Sequence, residues 1–276
     1  MNVKKFDLND GTYIRYTEQG SGDPLLLLHT IRNRIEYSDK LLPYLTKKFK
    51  VYVIDLPGHG DSPVNKETNY DQDFMTDSIV KFIESLNLNN LTIAGESIGG
   101  VLPATVSKKI PNRIKKIFCF NPYDYDKRFA EGVSRGNFIA KFLLFHMSLP
   151  MGLGVIFAKM ESFPTLWLIF RGGVYKKSVI TKEYISLLCK SIKKPGFTYH
   201  ERNVFLNHKS WADHNKLYAG LKTNVTLIYG DSDWAKDEDK NKTMKSLKLT
   251  SYKTIIETGH FSFLESAKDV SDIILD

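Results

Sequence analysis

Residues 3–9 and 11–18 alternate apolar and polar positions around Asn9-Asp10-Gly11, which predicts a β-hairpin. After the turn Gly20-Ser21-Gly22-Asp23-Pro24 the alternation gives way to an unbroken apolar run, Leu25-Leu26-Leu27-Leu28. Such a run suits a strand buried on both faces of a parallel sheet. The same reading predicts strands at Val51–Ile54, Leu91–Ala94, Ile114–Phe120, Val225–Tyr229 and 251–257. Helices are expected near 35–47, over 71–86 with Phe74, Ile79, Phe82, Ile83 and Leu86 near helical spacing, over Ile98–Lys109, near 207–219, over 236–247 and over 261–275. Residues 122–205 break this rhythm. They hold no clear strand and are interrupted by Pro150, Gly152, Gly154, Pro164 and Gly172-Gly173.

Alternating strand and helix implies an α/β fold: a mostly parallel, eight-stranded sheet with helices on both faces and right-handed crossovers. The expected organisation is one core formed by residues 1–121 and 206–276, with a helical cap inserted at 122–205. In this fold class an insertion there lies over the carboxyl edge of the sheet, where such folds bind ligands.

Composition changes this picture little. The 276 residues are 42% hydrophobic and 25% charged, an ordinary globular balance. The net charge of +8 is spread over scattered lysine pairs such as Lys4-Lys5, Lys108-Lys109 and Lys193-Lys194, with no dense basic block, so no nucleic-acid partner is expected. Two cysteines, Cys119 and Cys189, make neither a disulfide framework nor a zinc pattern, and no metal or other cofactor is expected. Met1–Asp10 carries charges but no apolar leader core, and no apolar segment is long enough to span a bilayer; the expectation is a cytoplasmic protein.

Gly95-Glu96-Ser97-Ile98-Gly99-Gly100 sits directly after a predicted strand and before a predicted helix. In G-x-S-x-G the small flanking residues let the chain turn sharply and present the serine hydroxyl at the tip, which makes Ser97 the candidate nucleophile. Serine needs a base. Of seven histidines, His260 follows the last strand at the correct sheet edge, whereas His59, His146, His200, His208 and His214 lack that placement. The base needs a carboxylate to hold its tautomer, and Asp233, just past a buried strand, is the choice. Asp231 is read as a turn former, and Asp124 or Asp126 after the Ile114–Phe120 strand is the rival acid.

At these motifs the sequence resembles the α/β-hydrolase superfamily, in its capped esterase/lipase-like branch. Asp55-Leu56-Pro57-Gly58-His59-Gly60-Asp61-Ser62 is similar to the family's D-x-x-G-x-G-x-S turn, and Gly259-His260-Phe261 with Leu264-Glu265 to its terminal histidine motif. The resemblance implies an oxyanion hole formed by the backbone N–H of Ile98 and of Ile31. The second donor loop departs from the family's His-Gly-x: here it reads His29-Thr30-Ile31, and a Thr with its Cβ disfavours a positive φ. Serine in the elbow sets the chain apart from the dehalogenase and epoxide hydrolase branches, which need aspartate there.

The stretch Phe138–Phe170 is rich in Phe, Leu and Met, which suits cap-to-core packing or a pocket for a lipophilic group. Lys141, Lys159 and Arg171 interrupt it, a pattern compatible with a basic amphipathic lid at a membrane surface. His29, Thr30, Glu96, Trp211 and Trp234 are candidate pocket residues, with packing the favoured role for His29 and Glu96. The expected activity is cleavage of a carboxylic ester with a hydrophobic acyl or alcohol part through an acyl-enzyme. The alternatives are a carbon–carbon hydrolase, lyase or acyltransferase with the same triad, and a ligand-binding protein with weak or no turnover. The expected partner is a small molecule, and the chain itself is expected as a monomer or homodimer.

Overall fold

The computed structural model describes residues 2–125, 132, 138–147, 149 and 152–276. Eight strands form one sheet: β1 (Val3–Asp7), β2 (Tyr13–Gln19), β3 (Asp23–Leu28), β4 (Phe49–Ile54), β5 (Leu91–Glu96), β6 (Ile114–Phe120), β7 (Asn224–Gly230) and β8 (Lys253–Ile255). Their order is β1-β2-β4-β3-β5-β6-β7-β8. β1, β2 and β4 pair antiparallel, and every pairing from β4 through β3 to β8 is parallel. Leu25 of the central strand stands beside Val51 on one side and Thr92 on the other. All four leucines of the apolar run are fully buried, as a strand covered on both faces requires.

The main helices are α1 (Gln72–Ser85), α2 (Ile98–Lys109), α3 (Phe138–His146), α4 (Leu153–Lys159), α5 (Phe163–Gly172), α6 (Lys182–Ile192), α7 (Phe197–Leu206), α8 (Asp237–Ser246) and α9 (Ala267–Leu275). Asp71 starts α1 by accepting the Phe74 N–H at 2.9 Å. Helices α3 to α7 all lie in the connection between β6 and β7.

Several elements are shorter than the hydrophobic pattern suggested. The stretch 35–47 forms a 3₁₀ turn, Ile35–Ser38, and a single helical turn, Leu42–Leu45. Pro43 is tolerated only in the first turn of a helix, so no long helix runs through it. The stretch 207–219 divides into His208–Trp211 and His214–Tyr218, because Asp213 caps the second piece by accepting the Lys216 N–H at 3.1 Å. The last strand keeps three residues and ends where Glu257 turns to φ 52°. The final helix is interrupted at Ser266, whose hydroxyl is tied to that of Thr258 at 2.5 Å. Of the positions singled out above, Asp126 and Pro150 lie outside the described residues.

Because β3 to β7 run parallel, their carboxyl ends open along one edge. Residues 29–32, Asp55, Ser97 and Asn121 follow those ends directly, and Asp233 lies three residues past the end of β7.

Candidate active site

Ser97 stands between β5 and α2 with φ 61° and ψ −121°. This left-handed geometry needs an environment that imposes it. A Cβ on Gly95 would lie 1.8 Å from the Gly99 carbonyl oxygen, and one on Gly99 would lie 2.4 Å from the His29 carbonyl oxygen. Only glycine at both positions lets the turn close against α2 and the loop after β3. The Ser97 N–H donates to Phe120 O at 3.0 Å, and its carbonyl accepts from Gly100 and Tyr123, which pins the turn to β6.

The side chain of Ser97 meets His260, with Oγ 2.9 Å from Nε2. His260 Nδ1 lies 2.5 Å from Asp233 Oδ1, and the other Asp233 oxygen accepts the Ala235 N–H at 2.9 Å. A Cβ on Gly259 would lie 2.4 Å from Gly173 O, the atom that also receives the His260 N–H at 2.6 Å. The imidazole stacks on Trp234, with centroids 4.3 Å apart and planes 17° from parallel. Asn121 ties the two sides together: its Nδ2 donates to His260 O at 3.1 Å and its Oδ1 accepts the Gly230 N–H at 2.8 Å.

Two carboxylates support this arrangement from outside it. Asp231 accepts the N–H groups of Glu257 (3.0 Å) and Thr258 (3.1 Å), joining the loops that carry Asp233 and His260. Burial pushes its carboxyl up, but those N–H donors outweigh burial and hold it below the usual value. Glu96 is fully buried beneath the elbow. It accepts from the Ser262 N–H at 2.7 Å, from the hydroxyls of Tyr37 and Ser262, and from Asn121 at 3.2 Å. Burial pushes its carboxyl up to about 7 despite these donors.

In the loop after β3, His29 is buried, with Nδ1 2.7 Å from Thr30 O and Nε2 accepting the Leu56 N–H at 3.0 Å. Burial drives its imidazole down to about 3, so it stays neutral. The positive φ in this loop falls at Arg32, at 63°, and not at Thr30. Ile31 and Ile98 both line the cavity at Ser97. Among the described hydrogen bonds none starts at the Ile31 N–H, and Ile98 opens α2, where a backbone N–H has no partner within the helix.

That cavity is small and lies directly over Ser97. Its other walls are Thr30, Tyr123, Trp234 and Phe261 from the sheet side and Leu144, Ile169, Phe170 and Phe205 from the α3–α7 segment. Three expected pocket residues are elsewhere. His29 and Glu96 lie behind the wall, held by the hydrogen bonds just described, and Trp211 is buried in its own 3₁₀ turn. Asp124 is not brought to His260. It accepts from Tyr218 at 2.6 Å and from Thr243 at 2.9 Å, with His214 nearby. Burial raises its carboxyl although His214 opposes that.

Sequence reasoning missed Arg32. Its guanidinium lines the cavity and is buried, with Nη2 2.5 Å from Glu161 and 2.6 Å from Glu201, and it stands 5.1 Å from the ring centre of Phe205. Burial pushes Glu201 up to about 8; Arg32 opposes this and the neighbouring Glu161 charge adds to it. The only sequence signal was a charged residue immediately after the donor loop, with its acidic partners more than a hundred residues away.

The sheet order, the strand-to-helix turn and the cavity at the carboxyl edge define an α/β-hydrolase fold. Residues 23–143 match the family model described as α/β hydrolase fold. Over 121 residues the chain is 32% identical to (E)-2-((N-methylformamido)methylene)succinate hydrolase of Acinetobacter baylyi, covering 44% of this chain and 46% of that one. It is 21% identical to 2-hydroxy-6-oxo-2,4-heptadienoate hydrolase of Pseudomonas putida, covering 76% and 71%. The solved structure of a meta-cleavage product hydrolase from Pseudomonas fluorescens superposes with a TM-score of 0.79 at 17% identity, covering 99% of this chain and 96% of that one. The chain spans less than half the length of the first curated relatives it matches. The chain has the fold of the α/β hydrolases.

Proposed function

We propose that this protein is a serine hydrolase that cleaves a small carboxylic ester with a hydrophobic acyl or alcohol part. The observation that carries this reading is the continuous chain from Asp233 through His260 to Ser97 Oγ, opening on an apolar cavity. His260 Nε2 takes the hydroxyl proton as Ser97 Oγ attacks the carbonyl carbon. Asp233 holds Nδ1–H and stabilises the imidazolium. The N–H groups of Ile98 and Ile31 receive the developing oxyanion. His260 then returns the proton to the departing alcohol, and water releases the acyl group by the same path. The segment carrying α3 to α7 acts as a cap that excludes water from the acyl site. The test is intact-mass analysis after a fluorophosphonate, with p-nitrophenyl esters assayed in parallel. One adduct on Ser97 with ester turnover supports the reading, and a folded protein that shows neither overturns it.

A second reading keeps the triad and changes the bond cleaved. The relative aligned over 76% of this chain is named as a hydrolase of 2-hydroxy-6-oxo-2,4-heptadienoate, which favours carbon–carbon cleavage as the alternative. A Ser97 adduct without turnover of any ester, together with hydrolysis of a vinylogous diketone acid, would select it.

A further inference from the structure

Helix α3 has two faces of different use. Leu144 lines the cavity at Ser97, and Leu143 and Met147 are buried beside it. The opposite face presents Phe138, Ile139 and Phe142 to solvent, with Phe138 75% exposed. Helix α4 packs against it, with the rings of Phe142 and Phe157 6.1 Å apart, and adds Leu153, Ile156 and, at its C-cap, Met160, with Ile156 58% exposed. Single exposed apolar side chains are ordinary; six on two adjoining helices mark an interaction surface.

The charges that α3 and α4 themselves carry are of one sign. Residues 138–160 contain no Asp or Glu, and their charged side chains are Lys141 and Lys159. A groove along α4 is lined by Lys66, Lys159, Lys194 and Arg202 together with Val155 and Leu206, and no acidic residue lines it. The ammonium of Lys194 is taken up by the carbonyls of Gly58 (2.5 Å), Gly60 (3.0 Å) and Ser62 (2.7 Å), so the cations open to a partner here are Lys66, Lys159 and Arg202, of which Lys159 stands exposed. An apolar stripe bordered by cations is complementary to acyl chains beneath anionic headgroups. A second copy of the chain fits less well, because self-pairing would bring these cations together with no acid between them.

We infer that the α3–α4 face docks on an anionic phospholipid surface, its apolar stripe entering the acyl boundary and its lysines and arginine meeting headgroup phosphates. Through Leu144 the same helix joins that surface to the cavity at Ser97, so a lipophilic substrate reaches the site from the bilayer side. Docking does not depend on the chemistry at Ser97, and a Ser97→Ala chain binds equally.

The experiment is co-sedimentation with vesicles of phosphatidylcholine alone and with added phosphatidylglycerol, across a salt series. The chains compared are the native protein, Ser97→Ala, Lys159→Glu and the double variant Phe138→Ser/Ile156→Ser. The expected result is binding about tenfold tighter with phosphatidylglycerol, falling with salt, and weakened about tenfold in the double variant and measurably in Lys159→Glu. All four chains should unfold at similar temperatures. The inference is overturned by absent binding to both vesicles, or by unchanged binding of a folded double variant. It is also overturned if sizing shows the face closed in a dimer that the double variant dissociates.

Discussion

Ser97 holds a backbone conformation that a β-carbon resists, and the two flanking glycines make it possible by removing the atoms that would collide with Gly99 O and His29 O. At this scale the proposed chemistry is testable one atom at a time. Ser97→Ala should abolish fluorophosphonate labelling and lower ester turnover by about 10⁶-fold while the unfolding temperature stays near that of the native chain. Asp233→Asn keeps the shape but not the tautomer control on His260, and should lower kcat by about 10⁴-fold in the same assay. Undiminished kcat in that variant would move the acid role away from Asp233. The G-x-S-x-G spacing and the lone histidine after the last strand were legible because each is a local pattern. Arg32 was not, because its meaning depends on Glu161 and Glu201, which the chain brings in from a distant helical segment.

Among the elements, the contact between the loop after β3 and the α3–α7 segment concentrates the buried charge. Arg32 is the described cation between two buried carboxyl groups. Arg32→Ala leaves that acidic pair without its cation, and urea unfolding should show a loss of about 3–5 kcal/mol. Glu201, at about 8, binds a proton more tightly folded than unfolded. Its contribution to stability is therefore complete below the unfolded carboxylate range and is lost as pH rises through about 8. Glu201→Gln should flatten the decline of unfolding temperature measured from pH 5 to 9, whereas an unchanged slope would show that another group titrates. The helices at 35–47 and 261–275 show why element lengths were less legible than element types. Pro43 and the Thr258–Ser266 hydroxyl pair interrupt patterns that hydrophobic spacing alone carries onward.

For the molecule as a whole, a parallel sheet collects every strand-following loop on one edge, and the β6–β7 connection supplies the opposing wall of the cavity. So small a cavity should favour short acyl chains, and p-nitrophenyl butyrate should be cleaved with a higher kcat/KM than the palmitate. A preference for palmitate would mean that the wall formed by Leu144 and Phe170 opens on binding. Trp211 was expected near this cavity from its place in sequence, but folding buries it away from the walls, whereas Trp234 comes to stack on His260.

The order of strands and helices, the buried central strands, the serine turn and the terminal histidine all follow from the sequence by itself, since each is a pattern of side-chain size and polarity over a few neighbouring residues. Tertiary structure alone decided where the positive φ of the donor loop falls and how Arg32 meets its glutamates. Those depend on distances between segments far apart in the chain, which are set when the sheet and the inserted helices pack against each other.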